Sequence, residues 1–317
     1  MSSSGEVSDL PNFDDLPQLP GTGLRHAWDV FGREDVLGSM NLLTADRTAS
    51  AARLVQTGQR ISLDLPLNCP DPPLFGRQPF NHVVFPLNRN EMDDRVDNFH
   101  LQGSTQWDGL NHVRCREDGY WGGRLQDPLD GPNGLGVHHW AEHGIAGRGV
   151  LIDVAGWLES RGSYDPLGGR PITVDDLQAT LDDQGVVLEP GDLLCIRTAW
   201  SRGYLALTAD ERVSYAAAPT FSGLHASEDM ARFLWNAHPA AICCDNPAIE
   251  VVPGDPAVGS LHRRLLPTLG MALGEMFDFE TLAPVCRAAD RSTFFFVAAP
   301  LRIPNALGSP GNAVAIL

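Results

Sequence analysis

The residues from Gln102 to His112 read Gln-Gly-Ser-Thr-Gln-Trp-Asp-Gly-Leu-Asn-His, and they hold one Asp, one His and two Gln. The glycine, serine and threonine between them let the backbone turn tightly. Gln102, Gln106, Asp108 and His112 can therefore converge on one point. Two kinds of chemistry use such a set: coordination of a cation, and proton transfer by a carboxylate and an imidazole.

Asp108, between Trp107 and Gly109, suits either role, as a ligand or as a base. The same short sequence also suits an Asx turn that only shapes a loop. Imidazole as a group can shuttle a proton near neutral pH, which makes His112 a candidate, although a lone histidine serves structure as readily. The amide oxygens of Gln102 and Gln106 could bind a hard cation or a substrate. They are neutral and weaker than imidazole toward zinc, so a Gln/Gln/Asp set favours Mn²⁺, Mg²⁺ or Ca²⁺ over Zn²⁺. Plain loop structure is the alternative for both glutamines.

These side chains need elements to hold them. Thr44 is an N-cap for a helix carrying Ala49, Ala52 and Val55, with Gly58 closing it. Ile61 to Leu67 alternates with period two and predicts a strand. The span 68–98 is rich in Pro, Asn and Asp, and predicts a long irregular loop of the sort that lines a site. The chemistry-bearing segment follows as a strand end and turn, and 117–136 is again rich in Gly, Asp and Pro.

Beyond it, Gly149 to Ala155 predicts a buried strand. Thr173 caps a helix that Gly185 closes, and Pro190-Gly191-Asp192 turns the chain into a strand over 193–198. Ser227 caps a helix with Met230, Phe233, Leu234 and Ala237 on one face, stopped by Pro239. Ala240 to Cys244 is a further apolar strand. A helical stretch through Leu261, Leu265 and Leu266, an aromatic strand over 293–299 and a short strand over 313–317 complete the chain. Residues 1–24 carry few apolar anchors and read as a flexible N-terminal arm. No repeat or strong linker interrupts 25–317, which predicts one mixed α/β domain.

Composition limits the partners. The chain has 317 residues, 43% hydrophobic and 20% charged, as in soluble globular proteins. Such a length buries a core without metal or disulfide staples, so a metal here would serve chemistry. The net charge of −17, with no basic cluster beyond Arg263-Arg264, argues against nucleic acid. The six cysteines form no Cys-x-x-Cys pair and read as free thiols in a reducing compartment. The Ser-rich acidic start resembles neither a signal peptide nor a mitochondrial presequence, and Phe294 to Leu301 is too short an apolar run to span a bilayer. The expectation is a cytoplasmic protein with a small-molecule substrate.

The segment resembles the signature of the cyclase family that includes bacterial kynurenine formamidase and isatin hydrolase, H-x-G-T-H-x-D-x-P-x-H. Gln102 falls on its first His, Ser104 on the Gly, Thr105 on the Thr and Gln106 on the second His. Asp108 falls on the Asp, Leu110 on the Pro and His112 on the last His. Both upstream histidines are thus Gln, and Ser104 to Gly109 resembles a recurring subgroup pattern. The similarity extends through Phe31 to Thr44, Arg148 to Asp153, Pro190 to Asp192, Cys244 to Asn246 with Glu250, Leu261-His262, Gly274-Glu275, Pro300 to Arg302 and Gly308 to Pro310.

The resemblance implies a single-domain swivelling β/β/α fold, usually dimeric or larger, and a metal-dependent hydrolase of a small amide. It implies that His262 and Glu275 join Gln102, Gln106 and Asp108 around a divalent ion, with Mn²⁺ favoured by the two glutamines over Zn²⁺ or Mg²⁺. His112 and Asp108 are then the catalytic residues. Trp107 is a candidate to stack on a flat substrate, and His225 a candidate for the pocket wall; both are equally ordinary core or pre-helix residues. Two rival readings stay open: a metal-free lyase, dehydratase or cyclase using His112 and Asp108, and a non-catalytic binding protein.

Overall fold

The computed structural model describes residues 10–317. Its strands are β1 (Arg60–Ser62), β2 (Asn81–Pro86), β3 (Met92–Asp97), β4 (Gln106–Asp108), β5 (Ile145–Ile152), β6 (Pro171–Ile172), β7 (Leu193–Ile196), β8 (Gly223–Leu224), β9 (Ala241–Cys244), β10 (Ala272–Glu275), β11 (Thr293–Ala298), β12 (Gly308–Pro310) and β13 (Ala313–Ile316). The helices are α1 (Ala45–Ala52), α2 (His138–His143), α3 (Val154–Glu159), α4 (Val174–Gln184), α5 (Trp200–Ala206), α6 (Ala209–Ala217), α7 (Glu228–Asn236), α8 (Leu261–Arg264) and α9 (Leu282–Ala288). This is a mixed α/β architecture.

One nine-stranded sheet runs in the order β1-β13-β11-β5-β7-β9-β10-β4-β12. Its middle, β5, β7, β9 and β10, is parallel, while the flanking strands pair antiparallel. Strands β7 and β9 are continuous apolar runs because helices and loops cover both their faces, and every residue of the two is buried. Helix α4 forms where Thr173 and Asp176 make a reciprocal capping box, and it ends at Gly185, whose φ of 62° suits glycine. Ser227 caps α7 by accepting the Met230 N–H. All six cysteines are buried and unpaired.

Four expectations need correction. The arm predicted over 1–24 lies partly outside the described residues, but from residue 10 onward it is packed. Phe13, Leu16 and Leu19 are buried in the main core, and the Trp235 indole donates to Pro11 O at 2.8 Å. The loop over 68–98 contains the β2–β3 hairpin, whose strands are exposed apart from half-buried Val83, Phe85 and Asp97. Helix α1 ends at Ala52, short of Gly58, and the strand predicted over 61–67 is only three residues long. Helices α5 and α6 occupy a stretch where no element is predicted.

Candidate active site

Successive side chains on a strand face opposite ways. On β4, Gln106 and Asp108 therefore share one face and Trp107 takes the other. The antiparallel register sets Gln106 opposite Glu275 of β10 and Trp107 opposite Gly274. Glu275 consequently joins the face of Gln106 and Asp108. On the other side Gly308 of β12 is opposite Asp108. A Cβ at Gly308 would lie 2.5 Å from Gln102 Cγ, so this glycine makes the space that lets Gln102 reach Asp108.

The result is a buried cluster. The Gln106 amide Nε2 donates to Glu275 Oε2 at 2.7 Å and to Asp108 Oδ1 at 3.1 Å. Gln102 Nε2 donates to the same Asp108 oxygen. From α8, His262 Nε2 lies 2.9 Å from Glu275 Oε1 and 3.6 Å from Asp108 Oδ2. Ligand atoms of Asp108, His262 and Glu275 all fall within 4.8 Å of one another. Asp108 Oδ2 and Gln106 Oε1 are buried without a hydrogen-bond partner.

Glu250 completes the arrangement behind His262. Its Oε2 accepts the His262 main-chain N–H at 2.9 Å and lies 3.6 Å from His262 Nδ1, while Ser260 Oγ donates to Oε1. The residues beside the two glutamates adopt left-handed backbone, Ile249 at φ 55° and Met276 at φ 51°. For a β-branched residue such as Ile249 this is a strained state, which persists only where its surroundings enforce it. Buried Asn246 does so at both places. Its Nδ2 donates to Ile249 O and Ser222 O, and its main-chain oxygen accepts the Met276 N–H.

The electrostatics follow from this crowding. Burial would push Asp108 up, but the charges of His112 and His262 and the Gln102 amide outweigh it and hold the carboxyl low. Burial and the neighbouring Asp108 charge push Glu275 up to about 8. Burial opposes a charge on His262, yet Asp108, Glu250 and Glu275 together hold its imidazolium well above the usual range. Burial likewise opposes Glu250, and its contacts with His262 and Ser260 keep it ionised. Without a cation, neutral pH therefore leaves Asp108 and Glu250 charged, His262 positive and Glu275 protonated.

The predicted site residues separate into groups. Gln102, Gln106, Asp108, His262 and Glu275 come together. His112 is half-buried near Asp108 and makes no side-chain hydrogen bond among the described residues. The imidazole in contact with Asp108 is that of His262. His225 lines a cavity of about 220 Å³ together with Glu250, so it adjoins the cluster from behind. For Trp107 the stacking candidate needs correction and the core alternative holds: it is fully buried on the opposite face of β4, packed edge-on against Trp140, Phe277 and Phe296, with its indole N–H on Gly311 O. It cannot stack on a substrate. Glu250 is the site residue the sequence reading missed.

A family model described as a putative cyclase matches residues 59–251. A crystal structure described as a novel cyclase is 32% identical, covers 92% of this chain and 99% of its own, and superposes with a TM-score of 0.80. Isatin hydrolase A from Labrenzia aggregata, bound to benzyl benzoate, is 18% identical with a TM-score of 0.58, over 85% of this chain and 97% of its own. An isatin hydrolase bound to the product analogue thioisatinate is 15% identical with a TM-score of 0.59, over 87% and 99%. No curated protein sequence matches the chain. The last two likenesses concern the fold alone. The first spans nearly the whole chain, and the family model takes in β4 with its Gln106 and Asp108. On those two matches, the chain belongs to the cyclase family.

Proposed function

We propose that this protein is a hydrolase of a small amide or imide, cyclic substrates included, working with one divalent cation. The observation that carries the reading is the convergence of Asp108, His262 and Glu275 on one buried point, next to two buried oxygens that lack partners. An oxygen-rich set with one imidazole fits a hard or borderline cation, Mn²⁺ before Zn²⁺ or Mg²⁺. Asp108, His262 and Glu275 would hold it, with Gln102 and Gln106 offering amide oxygens. A bound cation polarises a carbonyl and acidifies water. Within the chain, Asp108 stays ionised to anchor the site, and Glu250 fixes the ring of His262 through Nδ1. His112, which makes no side-chain hydrogen bond among the described residues, takes the proton from water and returns it to the leaving nitrogen.

A second reading rests on the same cluster. The Gln106 amide hydrogens, the His262 imidazolium and the proton held on Glu275 already compensate the two acidic groups, which is what a metal-free acid/base enzyme requires. One experiment separates the two. Protein purified without chelator is assayed for Mn, Zn and Mg, then for hydrolysis of an amide, imide and lactone panel before and after chelation. Expected are no more than one Mn²⁺ per chain, loss of metal in Asp108→Asn and His262→Ala, and activity restored by Mn²⁺. Full hydrolysis after exhaustive chelation, or stoichiometric zinc, would overturn the metal reading. A homodimer or larger assembly belongs to the same proposal; a monomer in light scattering removes it. None of the described helices is long and apolar enough to cross a membrane.

A further inference from the structure

Arg77 is a half-buried cation that makes no ion pair or side-chain hydrogen bond among the described residues. It arises from the irregular stretch ahead of β2, where its main-chain N–H meets Leu74 O, and its guanidinium carbon lies 5.4 Å from the centre of the Phe75 ring. Several arginines of this chain have carboxylate partners, among them Arg148 with Asp192, Arg197 with Asp153 and Glu280, and Arg302 with Glu142. Among the described residues no carboxylate oxygen comes within 4.0 Å of Arg77. Burial pulls its pKa below the usual arginine range, and the nearby charges of Glu275 and Asp108 act against that pull.

Arg77 lines a cavity of about 110 Å³ with Asn68, Asp71, Gln78, His100 and Gly103. Gly103 is next in the chain to Gln102, whose amide touches Asp108, and the charges of Asp108 and Glu275 act on Arg77, so the cavity lies near the cluster. His100 Nε2 accepts the Gln78 main-chain N–H at 3.0 Å, which puts the ring proton on Nδ1 and leaves it a donor. The volume suits a small functional group. A phosphate dianion would meet Asp71 and Asp108 with one cation to offset both; a carboxylate needs only the two parallel N–H groups of one guanidinium.

We propose that Arg77 and this cavity form a subsite for a carboxylate carried by the substrate, so that the amide to be cleaved, on the functional reading above, belongs to an anionic molecule. The test uses the full chain freed of metal by chelation, with benzoate and benzamide as probes in isothermal titration. Wild type is expected to bind benzoate more tightly than benzamide. Arg77→Met weakens benzoate by about ten- to a hundredfold, the range for a hydrogen-bonded charge pair, and leaves benzamide within about twofold. Arg77→Lys keeps the charge but not the fork, and falls between them. Equal benzoate affinity in wild type and Arg77→Met overturns the proposal, as does the absence of saturable benzoate binding to wild type. Should Arg77→Met not fold, Arg77→Lys against wild type decides, and equal benzoate affinity in those two overturns it. Neither metal nor turnover enters this assay, so its failure leaves the hydrolase reading standing, and a failed hydrolysis panel leaves the subsite standing.

Discussion

Replacing one buried carboxamide, Gln106→Leu, probes the cluster most directly. Gln106 is 1% exposed, and its amide donates to two acceptors, Glu275 at 2.7 Å and Asp108 at 3.1 Å. Leucine keeps the volume and removes both bonds. A neutral hydrogen bond contributes roughly 1 kcal/mol net and one to a charged group roughly 1.5–3. Glu275 is protonated at neutral pH, so its bond counts as neutral, and the one to ionised Asp108 counts as charged. Asp108 keeps Gln102 and His262 nearby and is not orphaned, which caps the loss. The expected destabilisation of metal-free protein is about 2–4 kcal/mol, read in urea unfolding at pH 7 with chelator present. A double-mutant cycle with Glu275→Leu should show a coupling of about 1 kcal/mol, since the two residues share a bond. If Gln106→Leu unfolds within about 0.5 kcal/mol of wild type, below the range for even one such bond, the amide does not bridge the carboxylates and the account of the cluster is wrong.

Two further outcomes concern the frame around the site. Asp192 is buried beside Arg148, and burial raises its carboxyl to about 7. The folded chain then keeps a proton that the unfolded chain releases, so this group favours folding at low pH, and the contribution is lost as pH rises from about 4 to about 7. Asp192→Asn should flatten the fall of stability across that window by roughly 2–4 kcal/mol; an unchanged slope in pH-dependent urea melts would contradict it. Trp107→Ala should remove about 3–5 kcal/mol, as truncation of a fully buried aromatic does, and a loss under about 1 kcal/mol would take Trp107 out of the core.

What could be read in advance depended on how local the signal was. Thr173, Asp176 and Gly185 mark both ends of α4 by themselves, and the apolar runs of β7 and β9 need no partner to be recognised. The β2–β3 hairpin carries little period-two signal because no residue of either strand is fully buried and only Val83 and Phe85 alternate as half-buried positions in β2, so its polar surroundings dominate the sequence. Of the two roles open to Trp107, the core one is legible in the strand. If Gln106 and Asp108 face the site from one strand, the residue between them must face away. Glu250 had no such clue: its role depends on a main-chain N–H twelve residues downstream, at the start of α8. Arg77 shares that difficulty, since only the folded loop carries it toward Asp108 and Glu275.

The exchange of two histidines for Gln102 and Gln106, read from the family signature, alters the site in a specific way. Carboxamide and neutral imidazole carry the same charge, so Asp108 and Glu275 supply the negative charge in either case. The difference lies in what occupies the carboxylates when no cation is present. Here the amide hydrogens of Gln102 and Gln106 and the proton of His262 already sit on Asp108 and Glu275. A cation must displace these contacts, and amide oxygen returns less to a soft ion than imidazole does. The hydrogen bonds that Gln106→Leu would remove are therefore among those that compete with metal, so the stability of the empty cluster and its affinity for a cation are opposed. A chain built this way has reason to hold a hard cation loosely, and to keep its fold when that cation leaves.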